Sequence, residues 1–308
     1  MSDLSVEIAG IRMQNPIMNA AGTLDIEPEG ARQLLQIENL GAFVQKSITP
    51  EPREGNNQPR IYEVNAGIIN RIGLQNVGIR EFVEKKLSVI CKLLSAQVPL
   101  IVSVAAESIE GFVETAVILE ENSKGRITAV EVNISCPNIE KGLVFGTDAD
   151  LTYELIVRLK SKIILPLIVK LTPNVTDICS IAKVVALAGA DAISLINTLR
   201  AAAYIERGPS AGHWIEGGFS GPVIKPVALF LVRQVAKVTD LPLIAMGGIS
   251  NLEDALDFLR IKNVCAVAIG TASFPDPSII AKTVDRLRLY MEEKGYSNIA
   301  DLKVKEAR

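Results

Sequence analysis

Residues 167–196, LIVKLTPNVTDICSIAKVVALAGADAISLI, contain two short apolar runs separated by a helical pattern. The runs Leu167–Leu171 and Ala192–Ile196 are apolar at almost every position, and Val175–Ala188 has the length and spacing of a helix. Strands that are apolar throughout are typical of a parallel sheet that is buried on both faces. This stretch therefore predicts one strand–helix–strand unit with parallel strands.

The same unit recurs along the whole chain. The other candidate strands are Pro16–Asn19, Ala42–Lys46, Leu100–Val104, Ala129–Asn133, Leu243–Ala245 and Ala266–Ile269. The other candidate helices are Pro28–Gln36, Ile79–Ser95, Ile109–Asn122, Asp150–Ile163, Val223–Thr239, Asn251–Ile261 and Pro277–Lys294. Eight strand–helix units in 308 residues predict an α/β fold of the (β/α)8 TIM-barrel type, with residues 1–308 as a single domain.

Several local signals refine this prediction. Leu4–Ile8 and Ile11–Met13 flank Ala9-Gly10, which predicts a β-hairpin that closes the floor of the barrel. Asn251 followed by Asp254 resembles a capping box, and Pro28, Pro222 and Pro277 fall where helices are expected to begin. Two connections, Ser47–Gly78 and Asn197–Pro222, are longer than a barrel needs. We expect them to be long loops on the face that carries the active site.

Composition excludes several classes of function. The formal net charge is −3 with no basic block, which argues against nucleic acid or an anionic membrane as the main partner. The four cysteines form no CxxC pair and His213 is the one histidine, so neither a disulfide framework nor a metal site is expected. Met1–Ile8 has no cationic leader, and no run approaches the roughly 20 apolar residues of a membrane span. We therefore expect a cytoplasmic location.

The run Asn133-Ile134-Ser135-Cys136-Pro137-Asn138 follows the apolar strand that begins at Ala129. A thiol at the carboxyl end of a barrel strand can act as a base or a nucleophile, and the flanking amides can bind a planar polar substrate. A free cysteine is also commonly buried and inert. The two amides favour a catalytic Cys136. Together with Asn70, in the long connection after the second strand, and Asn197-Thr198, at the end of the sixth, they suit a heterocycle with alternating N–H and C=O groups.

The last two units carry signals for an anionic ligand. Met246-Gly247-Gly248 and Gly270-Thr271 follow strands seven and eight, where glycines let backbone N–H groups approach a phosphate. Lys46 and Lys170 lie at the ends of two other strands. Either lysine can extend to the surface, but at this rim of the barrel both are better placed to meet an anion. Together these features suit flavin mononucleotide (FMN), because a lysine near the flavin ring stabilises its reduced, negatively charged form.

These residues resemble the dihydroorotate dehydrogenases, and among them the class 1 enzymes with a cysteine base. The motifs that carry the resemblance are NISCPN at 133–138, IGLQN at 72–76, VKLTPNV at 169–175, LINT at 195–198, GGFSGPVIKP at 217–226, MGGI at 246–249 and IGTA at 269–272. The likeness runs from Asn15 to Thr271 and is greatest to the class 1B catalytic subunit. It implies an FMN-bearing homodimer that pairs with a subunit carrying FAD and a 2Fe-2S cluster, which passes electrons to NAD.

The resemblance also assigns roles to residues. It implies that Cys136 is the base in the oxidation of dihydroorotate to orotate, a step of pyrimidine (UMP) biosynthesis. Substrate contacts are implied for Lys46, Asn70, Ile72, Gly73, Leu74, Asn133, Asn197 and Thr198. FMN contacts are implied for Ala21, Gly22, Lys46, Ser47, Ser103, Asn133, Lys170, Ile196, Gly221, Gly247, Gly248, Gly270 and Thr271.

Three features depart from the pattern of the family. Ser103 replaces an Asn that usually touches the flavin, Arg71 replaces a small residue beside Asn70, and Leu199–Glu216 does not follow the usual sequence. Arg71 either points to solvent or binds the carboxylate of the substrate. The departures leave open an FMN enzyme of the dihydropyrimidine dehydrogenase type acting on a related ring. A barrel that binds phosphate ligands without redox activity is a further alternative.

Overall fold

The computed structural model describes residues 2–24, 39–135, 142–206, 208 and 210–303, with residues 142–144 described by their backbone only. The helix predicted at Pro28–Gln36 lies outside these residues, as do Cys136 and Asn138. The structure therefore tests the predicted barrel, but it does not test the predicted position of the base.

The strands, in chain order, are β1 (Val6–Ile8), β2 (Ile11–Met13), β3 (Ile17–Asn19), β4 (Phe43–Ile48), β5 (Ile61–Val64), β6 (Gly67–Asn70), β7 (Leu100–Val104), β8 (Ile127–Asn133), β9 (Leu167–Lys170), β10 (Ala192–Leu195), β11 (Leu199–Ile205), β12 (His213–Ser220), β13 (Leu243–Met246) and β14 (Val264–Ile269). Eight of them form one parallel sheet in the order β3-β14-β13-β10-β9-β8-β7-β4. All eight predicted strands are present in this sheet, which confirms the (β/α)8 architecture.

The helices surround this sheet. They are α1 (Gly78–Glu81), α2 (Leu87–Leu93), α3 (Ile109–Asn122), α4 (Gly142–Thr147), α5 (Ala149–Lys160), α6 (Ile178–Leu187), α7 (Lys225–Ala236), α8 (Leu252–Leu259) and α9 (Ile279–Lys294). The predicted helix Ile79–Ser95 is α1 and α2 joined by a wider turn at Phe82–Lys86. Within the described residues, no helix is both long and apolar enough to span a membrane.

The helix-start signals hold in part. Asn251 caps α8 by accepting from the Asp254 N–H at 2.9 Å. The capping box is only half formed, because the Asp254 carboxylate binds Ser250 and Lys225 instead of the Asn251 N–H. Pro222 begins a short turn directly before α7, and Pro277 lies two residues before α9.

The sheet closes into a barrel through a side chain. No backbone ladder joins β3 to β4 in the described chain, where the order of strands begins and ends. The Asn19 amide takes its place: Nδ2 donates to the Val44 carbonyl and Oδ1 accepts from the Val44 N–H, each at 2.9 Å. The Gly41 N–H also donates to the Ile17 carbonyl at 2.7 Å. These bonds join the two edge strands of the sheet.

The predicted hairpin seals the floor. Strands β1 and β2 pair in antiparallel register around Ala9-Gly10. Ile8, Ile11 and Met13 are buried in one cluster with Met18 and Val44, whose side chains fill the barrel interior. The amino-terminal end of the barrel is therefore an apolar plug, and polar groups are concentrated at the other end.

The two long connections lie on the predicted face of the barrel, but the prediction that they are loops was wrong. The connections after β4 and β10 contain β5–β6 and β11–β12, which form a four-stranded antiparallel sheet in the order β11-β12-β6-β5. Gly218 of one connection pairs with Asn70 of the other. Because these segments are far apart in sequence, a pattern read locally could not show that they pair. The outer sheet covers the carboxyl ends of the barrel strands.

Lys303 anchors the end of the described chain to the barrel. Its ammonium donates to the carbonyls of Leu259 at 2.7 Å, Ile261 at 3.1 Å and Val264. These carbonyls lie at the end of α8 and the start of β14, where a helix terminus attracts a cation. Burial nevertheless lowers the pKa of Lys303 to about 8. The anchor therefore titrates within an accessible range of pH.

We expect Lys303→Met to change how stability depends on pH. Folded Lys303 loses its proton near pH 8, whereas an unfolded lysine keeps its proton to about pH 10.4. Between these values the unfolded state binds more protons, so the wild-type free energy of unfolding should rise with pH relative to the variant. Urea titrations at pH 7.5, 8.5 and 9.5 measure this difference. Lys262→Met, at an exposed lysine near the same turn, is the control; equal slopes in wild type and Lys303→Met would contradict the expectation.

Candidate functional site

A cavity of about 640 Å³ opens at the carboxyl ends of the barrel strands, within the size range of small-molecule sites. It lies between the barrel and the outer sheet. The predicted site residues that line it are Ala21, Gly22, Lys46, Ser47, Asn70, Ile72, Leu74, Asn133, Lys170, Ile196, Asn197, Thr198, Gly221, Gly247, Gly248, Gly270 and Thr271. Residues predicted from nine separate regions of the sequence thus meet around one space.

Two of the predicted residues are placed elsewhere. Ser103 is fully buried behind Ser47 and does not line the cavity, and Gly73 lines a neighbouring cavity instead. Arg71 is half-buried rather than exposed, and it is not among the lining residues. Its buried Nε has no hydrogen-bond partner in the described chain. Both interpretations of Arg71 stay predictions.

The described lining is positively charged. Lys46, Arg60 and Lys170 line the cavity, and the described lining includes no Asp or Glu. Arg60, on the connection before β5, was not predicted from the sequence. Its guanidinium donates to Gln75 Oε1 at 2.6 Å and to the Glu54 carbonyl at 2.8 Å. Three cations without a lining carboxylate favour an anionic ligand.

Hydrogen bonds join the polar side chains at the strand ends. Ser103 Oγ and Ser47 Oγ are 2.9 Å apart, and Asn133 Nδ2 donates to Ser47 Oγ at 3.1 Å. Asn133 Oδ1 accepts from Ser135 Oγ at 2.9 Å, and Asn197 Nδ2 donates to the same hydroxyl at 2.7 Å. The sequence analysis missed the role of Ser135. Because of this network, Asn133 and Asn197 are already oriented in the protein.

Asn76 holds the turn that includes Ile72 and Leu74. Its side chain accepts from the Gly78 N–H at 2.8 Å and donates to Thr49 Oγ1 at 2.8 Å and to the Leu74 carbonyl at 2.7 Å. The buried amide thereby fixes this turn against the end of β4. An Asn at the end of the IGLQN motif was visible in the sequence, but its several partners were not.

The glycines after β13 are required by packing within the protein. Gly247 and Gly248 have φ of +126° and +77°, which favour glycine. A Cβ at Gly248 would come within 2.7 Å of the Lys225 backbone N at the start of α7. Lys225 Nζ pairs with Asp254 at 2.6 Å and Asp257 at 2.7 Å, which ties α7 to α8 beside this turn. The turn is therefore held close to the cavity.

The floor of the cavity contains a charge pair that the sequence analysis missed. Lys170 Nζ lies 3.8 Å from Glu131 Oε1, so the lysine is not a cation without a counter-charge. The available signal in the sequence was Glu131, a carboxylate within an apolar run and on the same face of the strand as Asn133. Elsewhere in the described chain, no group of three or more His, Cys, Asp or Glu residues could hold a metal ion.

The fold and the cavity define a (β/α)8-barrel protein with a cavity lined by cations at the carboxyl ends of its strands. A sequence model of the family "Dihydroorotate dehydrogenase" matches residues 3–291. The chain belongs to the dihydroorotate dehydrogenase family.

Individual relatives agree with this family. The chain is 44% identical over 302 residues to "Dihydroorotate dehydrogenase B (NAD(+)), catalytic subunit" of Citrifermentans bemidjiense, covering 97% of each protein. It is 42% identical over 302 residues to the protein of the same name from Caldicellulosiruptor bescii, covering 97% of this chain and 98% of that protein. A crystal structure of DHODH from Eimeria tenella in complex with ferulenol superposes with a TM-score of 0.82 at 24% identity, over 97% of this chain and 87% of that one. This last likeness shows the fold alone.

We expect Gly218→Ala to destabilise the protein by crowding two residues that line the cavity. The added Cβ would overlap Thr198 Oγ1 and lie 3.1 Å from Asn70 Nδ2. Overpacking of this kind costs about 1–3 kcal/mol of unfolding free energy, which a urea titration measures. Glu216→Ala, at an exposed residue of the same strand, is the control and should change stability by less than about 0.5 kcal/mol. An unchanged unfolding midpoint in Gly218→Ala would show that β12 can move away from Thr198.

Proposed function

We propose that this chain catalyses the oxidation of (S)-dihydroorotate to orotate in de novo pyrimidine biosynthesis, as a catalytic subunit of class 1B. The observation that carries the proposal is the cavity with three cations and no carboxylate in its described lining, in a chain of this family. Dihydroorotate bears a carboxylate, and FMN bears a phosphate. A cavity of this charge suits both, whereas a neutral dihydropyrimidine has no carboxylate for these cations to bind.

The residues present fit FMN. Lys170 is 5% exposed, lines the cavity and has no hydrogen-bond acceptor among the described residues, since its distance of 3.8 Å to Glu131 is too long for one. A buried ammonium needs acceptors, so its place here favours a ligand that supplies them. A Cβ at Gly270 would meet only Ala20 and Thr23, both of which line the cavity, at 3.5 and 3.6 Å. Glycine here leaves that space to a ligand.

We assign the FMN contacts to Ala21, Gly22, Lys46, Ser47, Asn133, Lys170, Ile196, Gly221, Gly247, Gly248, Gly270 and Thr271, with Ser103 acting through Ser47. When bound, FMN supplies the acceptor for the hydride that leaves the substrate. We propose that two groups bind the phosphate of FMN. One is the glycine turn that packs against Lys225, and the other is Thr271, whose hydroxyl donates to Ser220 Oγ at 2.8 Å. In this assignment the protein contributes orientation and charge.

The proposed substrate contacts come from Lys46, Asn70, Ile72, Gly73, Leu74, Asn133, Asn197 and Thr198. Gly73 lies outside the cavity lining, so its contact would have to come through its backbone. Asn70 Nδ2 donates to the Gly218 carbonyl at 3.0 Å, and Asn197 Oδ1 accepts from the Thr198 N–H at 2.8 Å. Asn70 thus has its amide nitrogen bonded to the protein, and Asn197 has both ends of its amide bonded, because its Nδ2 also donates to Ser135 Oγ at 2.7 Å. The amides present donors and acceptors to a planar ring, while Lys46 neutralises its carboxylate.

Cys136 is the proposed base that removes a proton from C5 of dihydroorotate. It follows Ser135, whose hydroxyl is bonded to both Asn133 and Asn197. A free thiol has a pKa of about 8.5 and is only a few per cent thiolate at neutral pH. The rate is therefore expected to rise toward alkaline pH unless the site lowers that pKa.

The remaining assignments are also proposals. The relatives are named catalytic subunits of NAD(+)-dependent enzymes, which supports a partner subunit that passes electrons to NAD. We propose that this partner carries FAD and a 2Fe-2S cluster and joins a homodimer of this chain in a heterotetramer. Residues 1–308 would act as one FMN-binding domain. The free thiols of Cys91, Cys179 and Cys265 support a reducing, cytoplasmic location.

The purified protein tests this function directly. It should be yellow, should release FMN on denaturation, and should be reduced by dihydroorotate but not by dihydrouracil. Reduction by dihydrouracil instead would identify an enzyme acting on a related ring. A colourless protein that binds FMN neither as purified nor after incubation would overturn the proposal in favour of a barrel without redox activity.

We expect Cys136→Ala to keep FMN and lose turnover of dihydroorotate. Losing a general base lowers the rate about 10²- to 10⁴-fold. Stopped-flow reduction of the bound flavin in a single turnover measures the step itself. Cys179→Ala, at a cysteine near the start of α6, is the matched control and should reduce at the wild-type rate. If Cys136→Ala also reduces at the wild-type rate, Cys136 is not the base.

A further inference from the structure

A polar layer lies inside the barrel directly below the cavity. Glu131 of β8 is 3% exposed, and Lys170 of β9 is 5% exposed. Ser194 of β10 is fully buried and donates through Oγ to Glu131 Oε2 at 2.9 Å. Below this layer the interior residues of the same three strands are apolar: Ala129, Ile168 and Ala192. A charged carboxylate is therefore buried between an apolar core and the cavity.

The geometry of this carboxylate is unusual for a structural ion pair. Glu131 Oε1 lies 3.8 Å from Lys170 Nζ, beyond hydrogen-bond length, and has no hydrogen-bond partner in the described chain. A buried pair compensates for desolvation when its members bond each other directly. Here the N–H groups of Lys170 can still donate to a ligand in the cavity. Glu131 supplies a counter-charge to Lys170 but does not accept a hydrogen bond from it.

We infer that Glu131 is a positioning residue that sets the electrostatic effect of Lys170 on the cofactor, and thereby the reduction potential of the flavin. The inference rests on the function proposed above and extends it to a residue that does not line the cavity. Ser194 fixes one carboxylate oxygen, so the other remains directed toward the lysine. With Glu131 present, the positive charge of Lys170 is partly neutralised where it meets the ligand.

The sign of the effect follows from charge alone. Reduction adds electrons to the flavin, so a more positive cavity favours the reduced form. Glu131→Gln removes one negative charge but keeps the size of the side chain and an oxygen that can accept from Ser194. The uncompensated Lys170 should then stabilise reduced flavin and raise the potential.

The test is a redox titration of the bound flavin against a reference dye. Glu131→Gln should favour the reduced form about tenfold, a rise of about 30 mV for a two-electron couple. Ser194→Ala is the control, because it keeps the charges of both Glu131 and Lys170. Its reduction potential should shift by less than half of the shift expected for Glu131→Gln. Glu131→Asp, which withdraws the charge from Lys170 by one methylene, should give a smaller rise. It serves as the decisive variant if Glu131→Gln does not fold.

A double-mutant cycle with Lys170→Gln separates this role from a structural one. Without Lys170, the effect of Glu131→Gln on the potential should fall to less than half of its value in the wild type, with every variant measured at saturating FMN. An undiminished effect, or a folded Glu131→Gln protein with the wild-type potential, would overturn the inference. Those results leave the proposed function intact. A wild-type protein that binds no FMN would overturn both.

Discussion

The bond between the Asn19 amide and the backbone of Val44 is the interaction on which this architecture depends. A parallel sheet of eight strands has two edges, and here a side chain meets both the donor and the acceptor of the opposite edge. Closing the sheet brings the carboxyl ends of all eight strands to one rim. Polar residues at the ends of several strands then face a shared space, although these residues are up to about 250 positions apart in sequence.

Closure also sorts the interior by polarity. The hairpin residues Ile8, Ile11 and Met13 seal one end, and the layer above them is apolar. Glu131, Lys170 and Ser194 occupy the next layer, and the cavity lies above that. Charges surrounded only by apolar side chains would cost free energy of folding. At this depth, however, the charges border a cavity that a polar ligand can fill. The order of layers thus explains how a charge pair can be kept inside the barrel.

The cavity depends on contacts between parts of the chain that are distant in sequence. Gly218 lets β12 approach Thr198 and Asn70, and Gly248 lets the turn after β13 pack against Lys225. Asn76 fixes the turn that carries Ile72 and Leu74. Gly218 and Asn76 thus help to position proposed substrate contacts without being substrate contacts themselves, and Gly248 sets the position of its own turn.

The sequence by itself determined the barrel and its floor, because apolar periodicity is a local property. About half of the residues that line the cavity were implied by the resemblance to a known family. The sequence did not determine the outer sheet, since Gly218 and Asn70 pair only when two distant connections meet. It placed Ser103 and Gly73 at the cavity, whereas burial behind Ser47 and the course of the turn put them beside it. Arg60 reached the lining, and Glu131 became the counter-charge of Lys170, only through tertiary structure. The physical reason is that distances between side chains on different strands exist only after the sheet has closed.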